Sequence, residues 1–245
     1  MEEDDVAHDG NLRQLFEEKF RRMPLSDKLA LISTALPSEF AALCLDPNPQ
    51  VINALAGSGR FSAEHARLVA RYHHSHAGLE RITRPAVIAG DRGVQSGVFR
   101  NPLSTAPVLN RSFATMSLYE IHAVAQGREA TEFTSAQARE ALRTRFDQSA
   151  AETKVQFIIN TEGRCLRFFN GLFLDKTAAR SLAAYISATP AVSVLLVRNL
   201  LIFPSVPPEV VRAIAKVPAV MRDHDLRMRV RSHRNCPADA KLQRR

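Results

Sequence analysis

Tyr72-His73-His74-Ser75-His76 is the densest run of metal-capable side chains in this sequence. Two imidazoles that share one ion from a single helix usually stand at i and i+4, on one face. His73 and His76 stand at i and i+3, which still reaches one ion, and His65 or His122 would have to add another ligand. No Asp, Glu or Cys adjoins the run. Ser75 has the chemistry of a helix cap, so the run reads first as a turn between helices. His73 and His76 stay as weak metal candidates, and no metal or other cofactor is expected.

Arginine offers the second chemistry. Arg227, Arg231 and Arg234 follow i, i+4 and i+7, and on a continuous helix they share one face, with Arg222 just before them. Leu226 and Val230 would anchor the neighbouring face to a core. Such a strip suits an acidic partner, or nucleic-acid phosphates held without sequence preference. Aromatic side chains that stack on bases are missing from this stretch. Asp223, four residues before Arg227, also fits a solvated helix pair.

Nucleophilic catalysis needs a nucleophile beside an oriented base. The chain has no GxSxG, no GxGxxG and no GxxxxGK[ST], and Cys165 has no His near it in sequence. Cys236 follows His233 by three residues, but Pro237 places it in a helix-start region rather than a dyad. The reading is therefore a non-catalytic protein.

The elements that would position these groups are helical throughout. Leu12, Leu15, Phe16, Phe20 and Met23 form an apolar stripe at helical period, and Pro24 ends it. A second helix opens at Ser26-Asp27 and carries Leu29, Leu31 and Ile32. Short apolar segments then recur after Pro37, Pro49 and Ser62, and again over 75–82, 85–90 and 92–99. Helices of two or three turns are marginal alone, so they must stack. Val155 to Ile159 is β-branched, but the residues before it read as helix. Gly163 suits a left-handed helix end, and Phe168, Phe169, Leu172 and Phe173 read as helical core joining two halves of a stack.

The chain's 245 residues, 45% of them hydrophobic, suffice for a sizeable core. The formal charge of +8 is unevenly placed: residues 1–10 hold five acids and no Lys or Arg, while 212–245 hold ten Lys or Arg and three acids. The acidic segment 2–9 is therefore a possible cover for the basic end. Arginine also dominates the basic residues all along the chain, so composition alone accounts for part of that basic end. Three separated cysteines cannot all pair within one chain, which points to a reducing, cytoplasmic setting. No apolar run approaches the roughly 20 residues of a membrane helix.

Three helix starts share a pattern: Ser104-Thr105-Ala106-Pro107, Ser205-Val206-Pro207-Pro208 and Asn235-Cys236-Pro237-Ala238, the last two 30 residues apart. Proline fits the first helical turn, whose N–H has no helical partner. With Asn101-Pro102-Leu103 in front, the first copy resembles the repeat of leucine-rich repeat variant proteins. Phe203 to Val211, His233 to Pro237 and Asp46-Pro47-Asn48-Pro49 match less closely. The resemblance implies an all-α fold: an irregular α-solenoid of short helix pairs, a superhelix of the HEAT and armadillo kind. The blocks expected are an acidic, flexible segment 1–10, repeats over 11–125, less regular helices over 126–189 and a basic repeat block over 190–245. Some relatives in that family carry an iron–sulfur cluster, but the clustered cysteines it needs are missing here. The repeat signature, together with the absence of a catalytic constellation, points to a binding scaffold for a protein partner, an acidic one being favoured; the alternative is binding to a nucleic-acid phosphate backbone through the Arg-rich C-terminal block.

Overall fold

Proline and side-chain caps set where the helices begin. The computed structural model describes residues 10–127, 130–169, 174–189 and 191–238, and among these every regular element is helical. Of the acidic segment 1–10, residues 1–9 fall outside the described residues, as do Leu172 and Phe173. No helix among the described residues is long and apolar enough to cross a membrane. The chain divides into two compact units, 1–141 and 142–245, with the division falling inside one helix.

The first unit starts with α1, residues 10–20. Its last turn, Phe16–Phe20, is π-helical, and Arg21 N–H closes it on the Phe16 carbonyl at 2.9 Å. Leu12, Phe16 and Phe20 are buried, as the apolar stripe requires. Then come α2 (Leu25–Leu31), α3 (Pro37–Leu43), α4 (Pro49–Gly57), α5 (Ala63–Tyr72), α6 (His76–Ile82), α7 (Ala86–Ala89), α8 (Arg92–Arg100), α9 (Ala106–Ala114) and α10 (Leu118–Ala125). The second helix opens at Leu25, one residue earlier than the Ser-Asp signal, and its Leu29 faces solvent.

Local chemistry fixes these starts. Asn48 Oδ1 accepts Gln50 N–H at 2.9 Å just before Pro49, and Asp91 Oδ1 accepts Val94 N–H at 3.0 Å. Ser117 and Glu120 cap each other reciprocally, so two helix-end donors are satisfied.

Packing in this unit skips along the chain. α2 lies against α4, α4 against α6, and α6 against α9, while α5 lies along α8. The α5–α8 approach passes through Gly97, where a Cβ would sit 2.9 Å from Ala70 Cβ and 3.1 Å from the backbone. Arg67 adds a two-pronged ion pair to Asp91, at 2.9 and 2.8 Å, which holds that carboxyl down to about 2.

Helix α11 (Glu132–Gln148) contains the division. In the second unit follow α12 (Ala151–Asn160), a 3₁₀ turn (Arg164–Phe168), α13 (Lys176–Ala188), α14 (Val194–Ile202), α15 (Pro208–Ala215), α16 (Pro218–Arg222) and α17 (His224–Ser232). α13 packs between α12 and α15, and α17 packs on α14, α15 and α16. The β-branched run Val155 to Ile159 is helical, inside α12. Gly163 has φ 73°, the left-handed geometry that closes α12, with its N–H on the Ile158 carbonyl at 2.8 Å. Phe168 and Phe169 are buried but not α-helical: one ends the 3₁₀ turn and the other is extended. Phe169 meets Phe146 at 4.6 Å between ring centroids, within this unit's own core.

Candidate functional site

The histidine run forms the turn between α5 and α6. His73 ends α5 in extended backbone geometry, and the residue is only 1% exposed. Its Nδ1 lies 3.1 Å from the Asp46 carbonyl, and its Nε2 has no hydrogen-bond partner. The ring rests on Gly78, where a Cβ would fall 2.0 Å from Nε2. Burial is the main force that lowers the His73 pKa below its ordinary value. His76 Nδ1 lies 2.6 Å from the Leu103 carbonyl. His65 sits on Ser62, and His122 on Gln126. Each of the four imidazoles thus faces a partner of its own. Among the described residues no three His, Cys, Asp or Glu side chains gather where they would hold a metal ion.

The run ties the α5–α6 turn to loop carbonyls distant in sequence, those of Asp46 and Leu103. Lys28 Nζ and Asp46 Oδ2 form a buried ion pair at 2.7 Å, and Asp46 Oδ1 accepts Asn48 N–H at 2.8 Å. The Asp46 carbonyl meets His73, 27 positions later. The His73 carbonyl in turn accepts Asn101 Nδ2 at 3.0 Å, 28 positions later, and the same amide reaches the Ala70 carbonyl at 3.0 Å. Arg60 Nη2 donates to the Ala35 carbonyl at 2.7 Å, 25 positions back. A similar bond occurs in the second unit: Asn235 Nδ2 donates to the Pro204 and Val206 carbonyls at 3.0 and 2.9 Å. There too, His233 Nε2 meets the Phe203 carbonyl at 2.9 Å.

The arginine strip is shorter than its spacing suggests. Leu226 and Val230 are buried, so α17 does anchor by that face. Helix α17 ends at Ser232, with His233 extended after it, so Arg234 leaves the face shared by Arg227 and Arg231. Arg222 and Arg234 are exposed, whereas Arg227 and Arg231 are half-buried. Arg227 donates to the Met221 carbonyl at 3.3 Å and lies 3.2 Å from His224 Nδ1. Asp223 acts as the N-cap of α17, accepting Leu226 N–H at 2.9 Å.

The cysteines are buried and outside disulfides. Burial pushes the Cys44 thiol up, and the Cys165 thiol up to about 11, which removes thiolate character at neutral pH. Both His233 ring nitrogens face backbone groups, the Phe203 carbonyl and Asn235 N–H, so the ring is not presented to Cys236 as a base.

One concavity in the first unit was not marked by any motif. A cleft of about 500 Å³ opens between α1 and the end of α5. Phe16, Leu45, Pro47 and Tyr72 form its apolar lining, and Arg13, Arg21, Arg71 and His74 its basic one. Arg13 and Arg71 hold their guanidiniums 4.5 and 5.3 Å from the Tyr72 ring centre. Glu17, the acid among the lining residues, pairs with Arg21. A sequence trace of it exists in Arg13-x₃-Glu17-x₃-Arg21, one helix face.

No protein-family model, no curated protein and no solved structure matches this chain.

Proposed function

We propose that the protein is a non-catalytic binding scaffold, an irregular helical solenoid of HEAT and armadillo kind that engages an acidic protein partner. The observation that carries this reading is the chain of side-chain-to-carbonyl bonds joining Asp46, His73 and Asn101 at steps of 27 and 28 residues. Bonds at so regular a step suit units that each rest on the one before, which is how solenoids are built. α2, α4, α6 and α9 then form one row, and α5 with α8 part of the other. Asn101 and Asn235, two asparagines in the segments that carry the leucine-rich repeat variant resemblance, each hold an earlier backbone segment, Asn101 the end of α5 and Asn235 the loop after α14. The most conspicuous polar groups, His73, Asn101 and His233, serve packing, which favours binding over catalysis. The charge of +8 favours an acidic partner, and the buried, odd set of cysteines a reducing, cytoplasmic setting.

The test is co-purification of the tagged whole chain from native lysate over a range of salt concentrations. A stoichiometric protein partner is expected at low salt and is released as salt screens the surface. Recovery of none at any salt refutes the scaffold reading. Affinity for a random duplex that falls steeply with salt, with no protein recovered, moves the conclusion to nucleic-acid phosphates.

A further inference from the structure

We propose that the cleft between α1 and the end of α5 is the docking site, and that its occupant is an acidic peptide segment with one apolar anchor residue. This rests on the scaffold reading and names the partner's chemistry. Phe16, Leu45, Pro47 and Tyr72 give an apolar surface that a bare anion cannot use, whereas a Leu or Phe side chain can. Three arginines and one glutamate line the same cleft. Arg13 and Arg71 are exposed residues, and their guanidiniums lie over the Tyr72 ring. A stacked planar fork is pre-set for a carboxylate.

Spacing separates a peptide from a single phosphate. Arg13 on α1 and Arg21 just past its π-helical last turn stand eight residues apart, on the order of 10 Å along the axis. One phosphate cannot span that gap. Carboxylates three to four residues apart on an extended strand are about 10–13 Å apart, which is of that order. The Glu17–Arg21 pair is exposed and therefore weak, so an incoming carboxylate can replace Glu17 at little cost. The same stretch, Phe16–Phe20, is the π-helical turn, a deviation that recurs at functional sites.

The test is fluorescence anisotropy of a labelled Glu-Asp-Glu-Leu-Glu-Asp-Glu peptide with the whole chain. Binding that weakens with salt is expected, and no binding at low salt overturns the site. The double variant Arg13→Gln/Arg71→Gln, checked for wild-type circular dichroism, should weaken binding about tenfold or more. Arg84→Gln/Arg92→Gln removes equal charge from exposed positions outside the cleft lining and should leave affinity within about twofold. Equal losses in the two pairs mean diffuse attraction and refute the site. So does an unchanged affinity when the peptide's Leu becomes Ser. Displacement by pyrophosphate, at an ionic strength where chloride has no effect, reassigns the cleft to phosphate. A lysate partner still captured by the Arg13/Arg71 variant removes this site and leaves the scaffold standing. Cleft-dependent peptide binding with no lysate partner keeps the site and removes the scaffold.

Discussion

Replacing Gly78 by alanine puts a methyl group where the His73 ring already lies. A Cβ there would sit 2.0 Å from Nε2 and 2.2 Å from Cδ2, and the ring is held from its other side by the Asp46 carbonyl. The ring cannot swing away without leaving its buried seat. Two effects compete. Alanine in a helix is better than glycine by about 1 kcal/mol. Overpacking costs about 1–3 kcal/mol, and stripping the Asp46 carbonyl of its donor adds about 1–3 kcal/mol. The second group wins, leaving a net loss of roughly 1–5 kcal/mol. Gly57 supplies the control, because the nearest atom to its added Cβ is the mobile Arg81 Nη2 at 3.9 Å. Gly57→Ala should therefore be stabilising by a few tenths to about 1 kcal/mol. Urea denaturation followed by far-ultraviolet circular dichroism measures both. The double variant His73→Ala/Gly78→Ala identifies the cause: with the ring gone, the two changes should together cost about 1 kcal/mol or more less than their sum. Simple additivity, or a Gly78→Ala protein as stable as the wild type, refutes the argument that this contact seats α6 on α5.

Asp46→Ala leaves Lys28 buried without its carboxylate, so it should cost about 3–5 kcal/mol by urea denaturation, and a loss under about 1 kcal/mol would mean that the pair is solvated. Asn101→Ala removes two buried bonds to the carbonyls of Ala70 and His73 and should cost about 2–4 kcal/mol, measured the same way. The pH response follows from His73, whose pKa burial lowers in the folded state. The unfolded chain then binds the proton more readily, so this stability is complete above about pH 6.5 and is lost as pH falls through the folded value. Burial shifts His65 the same way, so wild-type urea midpoints should fall between pH 7 and pH 5, and His73→Asn should flatten part of that fall; an unchanged slope would remove His73 from the account.

How much of this was legible in sequence depends on the reach of each cause. Helix starts at Pro49, Asp91 and Ser117 follow from residues within three positions, so the helical class is readable. The roles of His73 and Asn101 are not, because their partners are carbonyls 27 and 28 residues away that no side chain advertises. The same blindness shortened the arginine strip: the bond from His233 to Phe203 lies beyond the end of α17, and periodicity within the helix carries no trace of it. Phe168 and Phe169 have helical spacing, yet left-handed geometry at Glu162 and Gly163 turns the chain before them. The cleft was hidden for another reason. Arg13 and Arg71 are far apart in sequence, and only the seating of α1 beside α5 brings both to Tyr72.

The bonds from His73, Asn101 and Asn235 all end on backbone carbonyls. A carbonyl is present whatever residue occupies the position, so each such bond asks for one particular side chain on one side only. Mutation can rework the receiving segment without loosening the joint, provided its backbone path is kept. Segments joined this way can change their side chains while keeping their joints.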